Sequence, residues 1–572
     1  MTTSESRAHT EQDRRRIYAD LGLRDLPRFL STMDRNDFSP TYGCANREFW
    51  LTRVMDFPSA IAQFGVHGLA LAWGHDMPGN QFRGHPKVLR WILAGMDYLT
   101  RIQHTDGSFD EFYPNERGWA GPTGFLVHAM IGCYRLVGDH MAPDQRMRFL
   151  ASMRSAARFL GENDEIGVLA NHHAMAALPV AEAAHLLDDA DLWALYHERM
   201  DEFMRHCRPE GWCLEYDGAD PGYLSATVSF LAKLYRIRPE ERIEQVIRRA
   251  IPFCAYFITP DGHYGGTLGS RQTLHFYPHG MELWADRVPL AASMADRMVD
   301  GFAAGASVWP GLQAERYFVY RIPEFLQAHL DYGPRPAPDR REPLPYERDP
   351  FVQRFPDAGV HARKMDWGYL VANLARGGVI KVFDLPSGKP MLVDSGVVGE
   401  LADSTVFTSQ WIDDAYDQDQ SGDTLRVRGR CHKVPTQTFT PLKMMAFRAT
   451  MVSTGWNARV AKELKGLIRR VLMTQARRMP VRFDRQVQVR PAGLELIDEL
   501  VLEPGARVTR LQIGDDLPLR YVPQSRYFQP QELEVDGYEL TSDDLARLNR
   551  ESRFVLRRRV FAGGRVSTEP AA

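Results

Sequence analysis

Apolar residues recur at helical spacing through the first 333 residues of the chain and give way to short β-type runs beyond residue 350. Leu224, Val228, Leu231 and Tyr235 mark one helix face, and Val127, Ile131 and Tyr134 another. Met175, Leu178, Ala181 and Ala184 fit a third, with Pro179 inside it, which predicts a kink or a late start. Loops of similar build lie between these runs: His104-Thr105-Asp106-Gly107-Ser108-Phe109, Pro209-Glu210-Gly211-Trp212 and Pro260-Asp261-Gly262-His263-Tyr264. Glycines 107, 211 and 262 are 104 and 51 residues apart, fitting a period near 52 with Gly161 as the missing member. Such a period marks stacked helix-turn-helix units, and about six hairpins over residues 1–333 would close into an α/α toroid.

Residues 334–350 are Pro-rich and charged and predict a linker. Beyond them come Tyr369–Ala372, Val379–Phe383, Met391–Val393 and Leu494–Ile497, separated by turns such as Pro386-Ser387-Gly388 and Pro504-Gly505. Many short strands at the chain end predict an antiparallel β-sandwich or stacked sheets. The expected architecture is α+β multidomain: a toroid over 1–333, a linker over 334–350, and a C-terminal antiparallel β-sandwich over 351–572. One segment, 457–473, breaks the strand pattern. Val460, Leu464, Leu467, Ile468, Val471 and Leu472 form an apolar stripe there, opposite Arg459, Lys462, Lys465, Arg469 and Arg470.

Net charge changes the picture only locally. The whole chain of 572 residues carries −3, yet residues 424–478 hold thirteen Lys or Arg against the single Glu463. That patch suits an anionic glycan or peripheral contact of helix 457–473 with anionic lipid, or equally a solvated surface helix. No nucleic-acid-binding motif accompanies it. No stretch approaches the ~20 apolar residues of a membrane span, and Met1–Arg16 has no apolar core ahead of a cleavage site. Six cysteines without a CxxC pair predict free thiols in a reducing compartment. The expectation is a cytoplasmic protein, with peripheral contact at the inner membrane as the alternative.

The candidate chemistry is an amide, an imidazole and a phenol. Asn171 and His172, followed by His173, open the Ala-rich helical run, and Tyr223 lies 52 residues beyond Asn171. An amide and an imidazole can hydrogen-bond a carboxylate while charge builds on it, and a tyrosine can move a proton at the neighbouring carbon. Consecutive helical residues point about 100° apart, so at most two of Asn171, His172 and His173 face one cavity. After the Gly262 turn, Arg271 is a candidate carboxylate holder, with His275 and His279 as donors or bases. Tyr216 in the segment before Tyr223, Glu116 and Arg117 after the Gly107 turn, and Arg47 and Trp50 in Asn46–Trp50 are candidate sugar contacts, as are Trp119 and Trp212. No HExxH, zinc spacing, phosphate loop or GxSxG elbow is present, so neither metal nor cofactor is expected.

With these residues in place, the chain resembles the heparinase II/III-like polysaccharide lyases and their alginate-lyase relatives. The resemblance implies a toroid followed by antiparallel sheets, with Asn171 and His172 neutralising a uronate carboxylate. It makes Tyr223 the acid/base that removes the C5 proton and protonates the leaving oxygen, with His275 a further catalytic candidate. The family's β-domain strand end survives as Val393-Asp394-Ser395-Gly396, but the preceding Asn373–Val379 lacks the family's histidine. The expected function is therefore action on an acidic, uronate-containing polysaccharide or lipid-linked oligosaccharide, by β-elimination first. A uronyl C5-epimerase, a glycoside hydrolase using Asp110 or Glu111 with Glu215, Asp217 or Asp220, and a non-catalytic glycan binder are the alternatives.

Overall fold

Proline at the first turn and glycine at the turns set the helix boundaries. Helices opening at Pro86, Pro143, Pro221, Pro278 and Pro289 use a residue whose missing N–H costs nothing there. Gly107, Gly211 and Gly262 all adopt positive φ, at +90°, +97° and +88°, in the loops between helices. The computed structural model describes residues 9–117, 120–163, 169–435, 439–469, 476–515, 519, 527–533 and 537–570.

The helices of the first half are α1 (Glu11–Arg24), α2 (Leu26–Thr32), α3 (Arg47–Trp50), α4 (Gly65–Gly74), α5 (Pro86–Ile102), α6 (Ala120–Val137), α7 (Pro143–Glu162), α8 (Ala170–Leu187), α9 (Ala190–Arg205), α10 (Pro221–Ile237), α11 (Glu241–Ala255), α12 (Pro278–Trp284), α13 (Pro289–Ala303) and α14 (Phe318–Leu330). A hairpin of β1 (Leu214–Glu215) and β2 (Gly218–Ala219) lies between α9 and α10. Helix α4 packs on α6, α6 on α8, α8 on α10, α10 on α12, α12 on α14, and α14 returns to α4, so these six form a ring. Helices α1, α5, α7, α9, α11 and α13 lie outside it. Inner helices such as α8 and α10 are buried on nearly every side, which explains their almost continuous apolar sequence. Helix α8 runs unbroken through Pro179. Gly161 is not a turn residue: it lies inside α7, where a Cβ would meet Leu195 at 2.6 Å. The close approach of α9, not a change of direction, accounts for that glycine.

A buried polar network crosses the ring, with one titratable side chain from each inner helix: His67, His128, Glu182, Lys233, His279 and Glu324. His128 Nδ1 lies 2.8 Å from Glu182, and Lys233 Nζ lies 2.6 Å from Glu324. Burial alone would raise Glu324, but Lys233, His279 and Ser229 overcome it and hold the carboxyl at about 2.

The chain between the halves is anchored rather than loose. Arg335 pairs with Glu282 at 2.7 Å and Asp296 at 2.8 Å, and Leu344 is fully buried. A five-stranded antiparallel sheet follows, β3 (Phe351–Phe355), β4 (Val360–Lys364), β5 (Gly368–Asn373), β6 (Val379–Asp384) and β7 (Pro390–Asp394), paired in sequence order. Its residues alternate between two cores: Tyr369 and Val371 face the helices, while Leu370 and Ala372 face a second, ten-stranded antiparallel sheet. That burial on both faces is why β5 and β6 are near-continuous apolar runs. The second sheet contains β8 (Val397–Leu401), β9 (Val406–Thr408), β10 (Asp417–Ser421), β11 (Thr424–Lys433), β12 (Arg478–Arg490), β13 (Gly493–Leu502), β14 (Val508–Ile513), β15 (Tyr538–Glu539), β16 (Arg553–Phe561) and β17 (Val566–Pro570).

The helical interruption of this sheet is larger than the sequence predicts. It comprises α15 (Pro441–Thr454) and α16 (Ala458–Arg469), and α17 (Ser542–Glu551) adds a third helix before β16. Residues 470–475, including Val471 and Leu472 of the expected stripe and Arg470 opposite it, lie outside the described residues. Helix α15 rests on loops of the helical half. Asn115 Nδ2 donates to the Met451 carbonyl at 3.1 Å, and Phe447 meets Tyr113 edge-on at 5.2 Å.

Candidate active site

The N-terminal ends of the inner helices share one end of the ring, and the site is assembled there. Asn171 sits in the first turn of α8, and its side chain is fixed by Glu215 of β1. The Asn171 backbone N–H donates to Glu215 Oε1 at 2.6 Å, and its Nδ2 donates to Oε2 at 2.7 Å. Glu215 thereby caps α8 and takes one amide hydrogen of Asn171, which is itself 2% exposed. Glu215 is 1% exposed, and burial pushes its carboxyl well above the ordinary range in spite of both hydrogen bonds from Asn171.

Tyr223 lies in the first turn of α10, which Asp220 caps by accepting the Tyr223 backbone N–H at 3.2 Å. Its phenol is pushed well above 10, first by burial and then by Tyr216, Asp220 and Glu215, while Arg271 pulls the other way. The same interactions put Tyr223 within electrostatic reach of the carboxylate that orients Asn171. Arg271 lies with its guanidinium carbon 3.7 Å from the ring centroid of Tyr216, and its backbone N–H donates to Asp220 at 2.9 Å. Ser270 ties that loop to the hairpin through the Glu215 carbonyl at 2.9 Å. The loop passes so close to α10 that a Cβ at Gly269 would meet Asp220 at 2.5 Å.

Strained backbone marks the same place. Tyr216 and Gln272 hold φ of +64° and +60°, and Asn115 in the loop after α5 holds +58°. Such conformations cost on the order of 1–3 kcal/mol each. Tyr216 is the first residue of a two-residue hairpin turn, a position that glycine usually fills.

Phe125 of α6, Tyr277 before α12 and Tyr320 of α14 are half-buried and make an aromatic wall, and His172 and Tyr223 are half-buried in the first turns of α8 and α10. Phe125 meets Tyr320 at 4.8 Å and Phe230 at 5.9 Å, and Phe230 meets Tyr277 at 5.9 Å, all edge-on. Arg321 is buried beneath, 4.3 Å from the Tyr277 ring centroid, and donates to the Phe276 carbonyl. The β-half reaches the site through Gln410, whose Oε1 accepts from Gln272 Nε2 at 3.3 Å, and through buried Arg376, whose charge stabilises ionised Asp220.

The remaining sequence candidates are placed differently. His173 is buried on the other side of α8 against His206, with ring centroids 4.9 Å apart. His275 is buried with Nδ1 3.1 Å from the Gln313 amide. His279 belongs to the buried polar network inside the ring, its Nε2 2.9 Å from Asp331, so it is not the accessible donor or base the motif suggests. Glu116 turns into its own loop and accepts the backbone N–H groups of Glu111 and Phe112 at 2.8 and 2.6 Å. Arg117 pairs with Asp106 at 3.1 Å, and Arg47 with Glu315 at 2.7 Å. The Trp50 indole donates to the Thr32 carbonyl at 2.8 Å, and Trp119 lies outside the described residues. These four side chains, Glu116, Arg117, Arg47 and Trp50, are engaged in contacts within the helical half. Among the described residues, no group of three His, Cys, Asp or Glu is arranged to hold a metal ion. No helix among them is long and apolar enough to cross a membrane.

No family model matches the chain, and no curated protein matches it. Among solved structures it is similar to the chondroitin AC lyase of Streptomyces coelicolor A3 in complex with chondroitin sulphate, with 12% identity, 98% of this chain and 86% of that one covered, and a TM-score of 0.51. It is also similar to heparan sulfate lyase HepC from Pedobacter heparinus, with 12% identity, 100% and 81% covered, and a TM-score of 0.40. Over 56% of this chain and 97% of the other, it is similar to an unsaturated glucuronyl hydrolase specific for heparin, at 10% identity and a TM-score of 0.40. The chain shares the fold of that chondroitin lyase, which agrees with the fold the sequence resemblance implied.

Proposed function

We propose that this protein is a polysaccharide lyase acting on a uronate-containing polymer, with the six-helix ring serving as an α/α toroid and the two sheets as its β-sandwich. The observation that carries the reading is the joint placement of Asn171 and Tyr223 around Glu215 and Arg271. A uronate carboxylate received by the second amide hydrogen of Asn171 and by His172 makes the C5 proton acidic. The ionised Tyr223 phenol removes that proton, a C4–C5 double bond forms as the C4–O bond breaks, and the Tyr223 hydroxyl returns the proton to the departing oxygen. Arg271 is the cation that favours the ionised phenol. The aromatic wall of Phe125, Tyr277 and Tyr320 suits stacking of neighbouring sugar rings.

Reprotonation at C5 in place of bond cleavage would make the same groups an epimerase. A second reading, glycoside hydrolysis, is favoured by one feature: burial pushes the Glu215 carboxyl well above its usual range, as suits a general acid. Incubation with chondroitin, heparan and alginate polymers, following ultraviolet absorbance of unsaturated uronate, tests the lyase reading. Reducing ends formed without that absorbance would favour hydrolysis, and solvent deuterium entering C5 without chain cleavage would favour epimerisation.

A further inference from the structure

The turn that leads into β1 carries two thiols face to face. Arg208 N–H donates to the Trp212 carbonyl at 2.7 Å, and Leu214 N–H donates to the His206 carbonyl at 2.9 Å. Between these two hydrogen-bonded pairs Cys207 opposes Cys213 across an antiparallel bridge. That makes them a non-hydrogen-bonded cross-strand pair, the site where opposed Cα atoms come closest, about 4.5 Å, within the reach of a disulfide. Their sulfurs lie 3.2 Å apart, and both are thiols here. Gly211, at φ +97°, lets the chain reverse between them. Cys207 is half-buried and so reachable from solvent, whereas Cys213 is 3% exposed.

We propose that Cys207 and Cys213 are a dithiol–disulfide couple that exchanges with small-molecule disulfides of the glutathione type and, when oxidised, clips the hairpin that carries Glu215 and Tyr216. The Cys207 thiolate attacks the external disulfide, forming a mixed disulfide and releasing one glutathione thiolate. The Cys213 thiolate then attacks the Cys207 sulfur, forming the intramolecular bond and releasing the second glutathione. Two cysteine thiol protons are lost and one disulfide is reduced, so the exchange balances. The hydrogen bond to Cys207 and burial push the Cys213 thiol up, so the closing step accelerates as pH rises.

The clip has consequences beyond its seven-residue loop. The turn also binds the five-stranded sheet: Glu210 accepts the backbone N–H groups of Asp357 and Ala358 at 2.9 and 3.0 Å. Oxidation therefore fixes both the entry to β1 and a contact between the two halves. The proposal does not rest on the lyase reading, and its test needs no substrate.

The full-length protein is incubated with oxidised glutathione, quenched with acid, and examined by intact mass and non-reducing peptide mapping. The expected result is loss of two of the six thiols, a Cys207–Cys213 linked peptide, and no retained glutathione. Hydrogen exchange of the amides of Arg208 and Leu214 should slow on the order of ten- to fifty-fold, reversed by a dithiol reductant. Cys213→Ser should trap glutathione on Cys207, and Cys207→Ser should take up none. Glutathione persisting on the wild type, a linkage through other cysteines, or six thiols surviving the treatment would each overturn the proposal.

Discussion

Replacing Glu215 by Gln separates the two enzymatic readings of the candidate site. The carboxylate accepts two hydrogen bonds from Asn171, at 2.6 and 2.7 Å, at the N-terminus of α8. Glutamine keeps one acceptor oxygen, loses the other bond, and turns an amide donor toward a donor. A hydrogen bond to a charged group contributes ~1.5–3 kcal/mol, and a negative charge at a helix N-terminus a further ~0.3–2 kcal/mol. Against this stands the desolvation of a buried carboxylate, which Gln removes. Because burial raises the Glu215 carboxyl above its unfolded value, that penalty exceeds the gain from both bonds. The net loss at neutral pH should therefore be small, about 2 kcal/mol or less.

The sign with pH follows. A carboxyl whose folded pKa is raised binds more protons folded than unfolded, so wild-type stability falls as pH rises between the two values, by up to ~1.4 kcal/mol per unit. Glu215→Gln lacks that slope, so its deficit against wild type should shrink as pH rises from about 4.5. Urea denaturation at several pH values measures this. In activity, Glu215→Gln should lose about tenfold through misaligned Asn171, not the ~10³-fold or more that loss of a proton-transferring group brings. A folded Glu215→Gln variant with no measurable activity would refute the positioning role and favour hydrolysis.

Tyr223, its phenol raised first by burial, should make kcat/KM climb about tenfold per pH unit from about pH 6 to 9, whereas a carboxylate base would give a plateau; a pH–rate profile decides. Lys233→Met should destabilise the helical half by ~3–5 kcal/mol, because Glu324 keeps its charge with its strongest partner gone. In the wild type, Glu324, held at about 2, adds stability that is present above its unfolded value near 4.5 and is lost as pH falls through about 2; acid titration of unfolding by circular dichroism in both proteins checks the pair. Arg271→Lys keeps the charge but loses the planar stack on Tyr216 at a buried position, so stability should fall by ~1–2 kcal/mol in thermal unfolding and KM for an anionic polymer should rise several-fold in steady-state kinetics.

Periodicity made the helical half legible because inner and outer helices bury different fractions of their surface, and the strand runs of 369–383 were legible because that sheet is covered on both faces. Gly161 misled for a physical reason: glycine serves helix–helix approach as well as turns, and only backbone geometry separates the two uses. Asn171 and Tyr223 were legible as chemistry-bearing types at helix starts. Glu215 as the partner of Asn171 was not, since pairing across 44 residues has no local signature. Gln410 and Arg376, which come from the β-half, were hidden for the same reason, as was the wall of Phe125, Tyr277 and Tyr320. His279 and Glu116 look functional in sequence because buried polar networks and loop caps use the same residue types as active sites.

Tyr223→Phe is the most direct probe, since it removes one oxygen from a half-buried side chain and leaves the ring in place. On a uronate polymer that the wild-type protein converts to an ultraviolet-absorbing unsaturated product, kcat should fall at least ~10³-fold with the fold intact by circular dichroism. Unsaturated product forming at the wild-type rate in the Tyr223→Phe variant would contradict the acid/base role of Tyr223.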